Sequence, residues 1–277
     1  MRVLALSPGP LRDQLKRLPA MATICSSLDA TLQVACDPSV KAVWTMLPAM
    51  EKLIPFNFED NPTLADWANL LGCVREPDFQ ICLNFAEGQQ VNLMLSMSHI
   101  PTRVARSGFA CTDKVDVGSG WPPQSLASWL QPLGLELDAE GFRLMLPTSE
   151  LDQVRTEQPS GDGPLLLMAP NGEAWDWPEH SWSGLPEAIH TRLPDLRTVN
   201  LSPQLPLRRK AAAVACADVV LSSCPVTQLL AVYCGVPLVA LGAAQETLPE
   251  RSDLRCLGEA RSLSMLQQAE VLSALGF

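Results

Sequence analysis

Short apolar runs alternate with longer helical stretches along this chain, and that alternation limits the possible folds more than any other feature. Runs such as RVLALS and TLQVACD have the length and aliphatic content of buried strands. Segments with a helical period, such as QLKRLPAMATICSSL, separate them. Strand and helix in regular succession predict an α/β fold built on doubly wound parallel sheets.

The alternation occurs in two series, which predicts two Rossmann-like domains covering residues 1–155 and 156–277. The first series has the strands RVLALS, TLQVACD, KLIPFNF, DFQICLNF and TRVARS, and the second has GPLLLMAP, LRTVNLS, ADVVLSS and VPLVALG. One further helix is predicted over GSGWPPQSLASWLQPLGLEL and a hinge near TEQPSGDGP. Two such domains commonly hold a ligand in a cleft at the carboxyl ends of the strands.

Composition excludes several classes of protein. Hydrophobic residues make up 47% and charged residues 18% of the 277 residues, which is typical of a globular chain. The net charge of −10 has the wrong sign for binding a phosphate backbone, so no nucleic-acid partner is expected. The nine cysteines include no C-x-x-C pair and lie mostly in apolar runs, and no export signal is evident, so a reducing cytoplasm is predicted.

One uncharged stretch, from Val219 to Gln245, is long enough to cross a membrane. Pro225, Gly235 and Pro237 divide it into pieces that fit strand, helix and strand. We therefore expect a buried β-α-β unit and no transmembrane segment.

Familiar nucleotide and metal motifs are missing from the sequence. Neither G-x-G-x-x-G nor G-x-x-x-x-G-K-[ST] occurs, and the three histidines lack metal-ligand spacing, so no metal site is expected. Asp13 remains, in the Pro/Gly turn SPGPLRD after the first strand. Its position alone is also explained by a favourable charge at a helix start, worth ~0.3–1 kcal/mol.

The segment SPGPLRDQLKRLPAM resembles the opening of the family 9 glycosyltransferases, the heptosyltransferase-like enzymes of lipopolysaccharide synthesis. Gly9, Asp13 and the Leu-Pro-Ala at 18–20 fit that pattern, although Arg12 stands where the family usually has glycine. IPTRVARSG, APNGEAWDWPEHSW and ADVVLSSCPVTQLLAVYCGVPLVALGA resemble later family segments in the same order. The resemblance therefore extends over nearly the whole chain.

The resemblance implies a GT-B fold in which the first domain binds a saccharide or glycolipid acceptor and the second binds a nucleotide-sugar donor. Transfer would invert the anomeric carbon without a metal or a cofactor, and Asp13 would be the general base. Gly9, Arg12 and Arg103 would contact the acceptor, and peripheral contact with a membrane is compatible with a glycolipid. The donor would be bound by Asn171, Gly172, Trp175, Ser222, Ser223, Thr227 and Gln228.

Besides Arg12, several positions on the donor side depart from the family pattern. Trp175 occupies the place of a lysine that contacts donor phosphate, and SSCPVTQ replaces an Asp-[ST]-x-x-x-His block. The second domain is also short by one α-β unit after TVNLS. Trp175, Trp177 and Trp182 could stack on a sugar or base, or simply pack the turn onto the domain.

Two other functions are therefore considered beside that of a glycosyltransferase. A descendant that has lost catalysis would act as a binding or assembly protein on the same scaffold. A periplasmic-type solute-binding protein would share the two-domain architecture, but the missing signal segment and unpaired cysteines disfavour it.

Overall fold

The computed structural model describes residues 1–277, which form two compact units, Met1–Phe142 and Arg143–Phe277. The division falls before the predicted boundary at 155/156. Helix Thr148–Glu157, which the sequence analysis did not predict, packs in the second unit. Two ion pairs, Arg208 with Glu150 at 2.8 Å and Arg209 with Glu157 at 2.5 Å, attach it there. The TEQPSGDGP segment, predicted as a hinge, therefore lies inside the second unit.

The first unit is a six-stranded parallel sheet with the order β3-β2-β1-β4-β5-β6. Its elements are β1 Arg2–Leu6, α1 Leu11–Ser27, β2 Thr31–Cys36, α2 Lys41–Trp44, β3 Met50–Pro55, α3 Leu64–Arg75, β4 Ile81–Asn84, α4 Gln89–Ser96, β5 Thr102–Ala105, β6 Asp113–Lys114 and α5 Ala127–Leu130.

The second unit is a five-stranded parallel sheet with the order β11-β10-β9-β7-β8. Its elements are α6 Thr148–Glu157, β7 Leu165–Ala169, α7 Glu179–His190, β8 Arg197–Asn200, α8 Leu207–Ala215, β9 Val219–Ser222, α9 Pro225–Cys234, β10 Leu238–Leu241, β11 Leu254–Leu257 and α10 Gln268–Leu275. The predicted α/β class with two parallel sheets is confirmed.

Burial on both faces explains why the central strands are continuously apolar. The residues of β1 from Val3 to Leu6 have no exposed surface, and all five residues of β7 are buried. Helix α1 covers the first sheet with a buried stripe that includes Leu15, Leu18 and Met21. These contacts fix the strand ends from which the turns emerge.

The uncharged stretch 219–245 forms β9, α9 and β10, as the sequence predicted. No helix of the structure combines the length and the apolar character that a bilayer crossing requires. The prediction of one continuous helix over 118–137 was wrong. The segment contains 3₁₀ turns at Gln124–Leu126 and Gln131–Leu133 on either side of the four-residue α5. Its prolines and Gly134, with φ +70°, interrupt a continuous helix.

Both sheets reverse their winding at an interior strand. In the first, the chain steps from β1 to β2 and β3 and then returns to β4 on the other side of β1. In the second, β8 and β9 flank β7. Crevices for ligands form beyond the carboxyl ends of the strands at such switch points.

Candidate functional site

The turn that follows β1 is held by one buried glutamine. Gln14 has no exposed surface, and its Nε2 donates to the carbonyl oxygens of Ser7, Pro8 and Gly9 at 3.1, 2.9 and 2.8 Å. Its Oε1 accepts from Ser7 Oγ at 2.6 Å. The backbone between strand and helix is thereby fixed, and Asp13 follows as the third residue of α1.

The Asp13 carboxylate has one oxygen engaged within the protein. Lys16 Nζ donates to Oδ1 at 2.7 Å, one helical turn further along α1. The other oxygen, Oδ2, lies close to Gly9: a Cβ atom added to that glycine would be 3.3 Å from Oδ2. Gly9 has φ +96°, a conformation that L side chains rarely adopt. The glycine of the predicted motif therefore leaves space beside Asp13.

A cavity of about 240 Å³ opens at the switch point of the first sheet, and Asp13 lines it. We call it the β1–β4 cavity. Side chains from the first two turns of α1 and from the turns after β4 and β5 meet there with residues of the segment 117–129. The polar and aromatic residues of its wall are Asp13, Lys16, Arg17, Asn84, Phe85, Glu87, Arg106, Ser107, Ser125 and Trp129.

Arg17 is the most constrained charged group in this wall. Its Nη1 donates to Ser7 Oγ and to the Pro8 carbonyl oxygen, both at 2.6 Å. Its Cζ lies 4.5 Å from the centroid of the Phe85 ring. Burial lowers the pKa of Arg17 from its usual value to about 10, although the charge of Asp13 opposes the shift. Arg17 is therefore a cation in a poorly solvated position.

The turn after β4 supplies an amide and an aromatic wall. Asn84 is 2% exposed; its Oδ1 accepts from the Ala86 backbone N at 3.0 Å, and its Nδ2 has no hydrogen-bond partner. Phe85 stacks on Trp129, with ring centroids 4.3 Å apart and an interplanar angle of 28°. The cavity thus combines cations, an amide and an aromatic pair.

Both arginines predicted to contact an acceptor lie outside the wall of this cavity. Arg12 is exposed at the start of α1 and is not part of the cavity wall. Arg103 donates from Nε to the Ala110 carbonyl oxygen at 2.5 Å and from Nη1 to that of Ile100, so its guanidinium stabilises the chain around β5. Arg106, three residues later, lines the cavity instead. Arg17, Asn84 and Arg106 were all missed: Arg17 and Arg106 lie within two of the segments that carry the resemblance, but no role was assigned to them there.

In the second unit, the structure brings together the turns after β7 and β9. The Asn171 backbone N donates to Ser223 Oγ at 2.8 Å, which joins the two strand ends. The Gly172 backbone N donates to Asp176 Oδ2 at 2.9 Å, and Gly172 has φ +76°. Asp176, which the sequence analysis did not single out, closes this turn.

The predicted donor residues at the start of α9 are mostly engaged in contacts within the protein. Ser222 Oγ donates to the Ala169 carbonyl oxygen at 2.9 Å, and Gln228 Nε2 donates to the carbonyl oxygens of Ser222 and Leu241 at 2.8 and 3.1 Å. Ser222, Ser223, Thr227 and Gln228 are all less than 5% exposed. The structure does not bring these side chains to a surface that a ligand could reach as they stand.

The three tryptophans of the turn after β7 have different surroundings. Trp177 is buried, donates from Nε1 to the Leu266 carbonyl oxygen at 3.0 Å and packs edge-on against Trp182 at 5.3 Å. These two belong to the core of the second unit. Trp175 is 37% exposed. Packing therefore explains Trp177 and Trp182, and Trp175 is the tryptophan that a ligand could contact.

The sequence matches no family model, and no curated protein matches it significantly. No group of three or more His, Cys, Asp and Glu side chains is arranged to hold a metal ion.

Two α/β units, each with a parallel sheet and with ligand-binding turns at its switch point, are typical of the GT-B class of fold. Solved structures of that class are similar to this chain. A family 9 glycosyltransferase from Veillonella parvula superimposes with a TM-score of 0.75 at 15% identity, covering 99% of this chain and 95% of the other. The E. coli ADP-heptose lipopolysaccharide heptosyltransferase II gives 0.73 at 14% identity, with coverages of 99% and 97%. An E. coli heptosyltransferase solved with ADP-2-deoxy-2-fluoro heptose gives 0.70 at 14% identity and covers 99% of both chains. The predicted resemblance to family 9 is confirmed at the level of the fold.

Proposed function

We propose that this protein is a glycosyltransferase that moves a sugar, a heptose or a hexose, from a nucleotide-sugar donor to a saccharide acceptor of the lipopolysaccharide type. The observation that carries the proposal is the position of Asp13, which lines the β1–β4 cavity at the switch point of the first sheet. The GT-B fold supports it. Peripheral membrane contact and a cytoplasmic location stay predictions.

In the proposed reaction, the Asp13 carboxylate takes the proton of the acceptor hydroxyl as its oxygen attacks the anomeric carbon. The bond from that carbon to the nucleoside diphosphate breaks, so the configuration inverts and the diphosphate leaves. Lys16 holds Oδ1 at 2.7 Å, which leaves Oδ2 as the oxygen for the proton. In this scheme the Asp13 carboxylate, held by Lys16, takes the proton by itself, and no metal ion takes part in the step.

The leaving diphosphate would be stabilised by backbone N–H groups in the second unit. Helix α9 begins at Pro225, and the first N–H groups of a helix have no partner within it. The turn at Asn171 and Gly172 adjoins this helix start through Ser223. Donor recognition would then rest on main-chain dipoles and on Trp175, since the nearby serines and Gln228 are engaged elsewhere.

The direct experiment offers ADP-heptose and heptose-free lipopolysaccharide to the purified protein and measures both ADP release and the mass of the acceptor. Asp13→Asn is expected to lower turnover by at least ~10²-fold, because a general base contributes that much. Asp29→Asn is the matched control, since Asp29 is exposed and asparagine tolerates its φ of 45°. Wild-type turnover in Asp13→Asn would refute the role of Asp13.

A second candidate function is a binding or assembly protein that has lost catalysis. It is favoured by the internal hydrogen bonds of Ser222 and Gln228, since the resemblance places Ser222 or Ser223 near an acidic position of the family and Gln228 near its histidine. Thermal unfolding with ADP-, UDP- and GDP-sugars separates the two. A donor present at 100 times its Kd should stabilise the native state by ~2.7 kcal/mol. No stabilisation by any of them would favour the second candidate.

A further inference from the structure

The two sheets differ at one edge. In the first unit, β2 lies between β1 and β3, and five of its six residues are buried. In the second unit, β8 holds the position that corresponds to β2, but it pairs with β7 alone. The chain passes from β8 through α8 to β9, on the other side of β7, so no strand takes the place of β3. The second sheet therefore ends on an open strand.

That strand directs backbone groups away from the sheet. The backbone N of Arg197 donates to the Pro164 carbonyl oxygen at 2.9 Å, and that of Leu201 to the Met168 carbonyl oxygen at 2.8 Å. In a parallel strand, alternate residues bond to the neighbour on one side. The N–H and C=O groups of residues 198 and 200 therefore point outward. We call residues 197–200, seen from this side, the β8 edge. Such an edge is a template for another strand.

We propose that the β8 edge pairs with the β8 edge of a second copy of this chain, antiparallel about a two-fold axis. The sheets of the two second units would then form one continuous sheet. A two-fold axis brings identical surfaces together, and closed two-fold dimers are the commonest assemblies of identical chains. The proposal goes beyond the proposed function and does not rest on it, since neither Asp13 nor the turns after β7 and β9 take part.

One register uses all of the outward backbone groups. With Val199 on the axis, Thr198 faces the partner subunit's Asn200, and each such pair exchanges two N–H···O hydrogen bonds. An axis at Thr198 or at residue 200 would instead place the other residue beyond the end of the partner strand. The strand therefore matches itself best in the register centred on Val199.

Val199 supplies the apolar part of the contact. Its side chain lines a cavity of about 190 Å³ over β7 and β8, together with Leu165, Leu167 and Leu201 and with residues of α6 and α8. Directly opposed residues of an antiparallel pair lie on the same face of the sheet. The partner subunit's Val199 would therefore pack beside Val199 at this cavity and remove apolar surface from water.

The turns at the two ends of β8 carry opposite charges, which favours a second copy over an unrelated strand. Asp195 is exposed in the turn before β8. In the turn after it, Lys210 Nζ donates to the Pro203 carbonyl oxygen at 2.8 Å. No ion pair of the structure includes Asp195 or Lys210. Antiparallel pairing places the first turn of each copy beside the second turn of the other, so Asp195 would meet the partner subunit's Lys210 on both sides of the axis.

Sedimentation velocity over a dilution series of the full chain measures the dissociation constant of the dimer. Thr198→Pro should raise that constant by at least ~10-fold, because proline removes an outward N–H group and no hydrogen bond to β7. Asp195→Lys and Lys210→Asp should each raise it by ~5-fold or more, and the double variant should return it to within ~2-fold of wild type. Glu259→Lys, the same charge change at an exposed position of the second unit, is the matched control and should leave it unchanged.

Hydrogen exchange identifies the surface that pairs. Exchange in peptides covering 197–201 should slow as the protein concentration rises. If Thr198→Pro does not fold, the charge reversals decide, because recovery in the double variant cannot result from unfolding. Wild-type protein that stays monomeric at every concentration would overturn the proposal and leave the β8 edge to a strand of another protein. A dimer that neither Thr198→Pro nor the single charge reversals weaken would overturn it as well, since it would use another surface.

Discussion

Replacing Gln14 by leucine tests the hydrogen-bond network that holds the turn before Asp13. The side chain is fully buried, and Trp44 Nε1 donates to its Oε1 at 3.1 Å in addition to the contact from Ser7 Oγ. Leucine has a similar volume but can accept neither bond. The substitution therefore removes polar partners and leaves the packing largely filled.

The expected loss follows from the donors left without an acceptor. Trp44 Nε1 and Ser7 Oγ each become unsatisfied within the core, at a cost of ~1–3 kcal/mol apiece. Of the three backbone carbonyls that lose the Gln14 donor, that of Pro8 still accepts from Arg17 Nη1. Because the two donors share one acceptor, the losses do not add fully, and the free energy of unfolding should fall by ~2–5 kcal/mol.

Urea titration followed by tryptophan fluorescence measures that loss, and hydrogen exchange with mass spectrometry locates it. Protection should fall in peptides from residues 1–142 and stay unchanged in the second unit. Gln89→Leu, at an exposed position at the start of α4, should change the free energy of unfolding by less than ~0.5 kcal/mol. A loss below ~1 kcal/mol for Gln14→Leu would show that the turn holds Asp13 without this network.

Two further predictions concern a glycine and the thiols. Gly9→Ala and Gly134→Ala should each destabilise the protein by ~1–2 kcal/mol, because both glycines have a positive φ. Only Gly9→Ala should lower turnover, because its Cβ would contact Asp13 Oδ2. Equal turnover in both variants would contradict this prediction. Burial raises the pKa of Cys25 to about 11 and of Cys36 to about 12, so iodoacetamide at pH 8 should spare both in the native protein. Their contribution to stability is complete below pH ~8.5 and lost as pH rises toward their folded values, which a pH series of urea titrations checks.

The sequence predicted the architecture well because the strands are continuous apolar runs that only a sheet covered on both faces can bury. β1, β7 and β9 lie where RVLALS, GPLLLMAP and ADVVLSS predicted them. α6 was missed because its sequence, TSELDQVRTE, is polar and its packing depends on partners far along the chain. β11 was missed because LRCL is only four residues long and contains an arginine. The ion pairs from Arg208 and Arg209 to α6 join residues more than fifty positions apart, which no local pattern reveals.

The candidate site was predictable only where a motif named the residue. Asp13 and Gly9 were found in that way, and Asn171 and Ser223 do meet. Arg17 and Asn84 follow ordinary helical and strand patterns, so their meeting in the cavity needed the strand order. Arg103 and Gln228, which were predicted to contact ligands, both donate to backbone carbonyl oxygens within the fold, and no local pattern reveals those partners.

The position of Gln228 limits which residues the start of α9 can accept. Its Nε2 joins the carbonyl ends of β9 and β10. Replacing it by histidine would remove an amide that two buried strand ends share, and one ring nitrogen carries at most one hydrogen, so it cannot donate to both. An ionisable side chain can therefore be introduced here only with compensating changes in the same core.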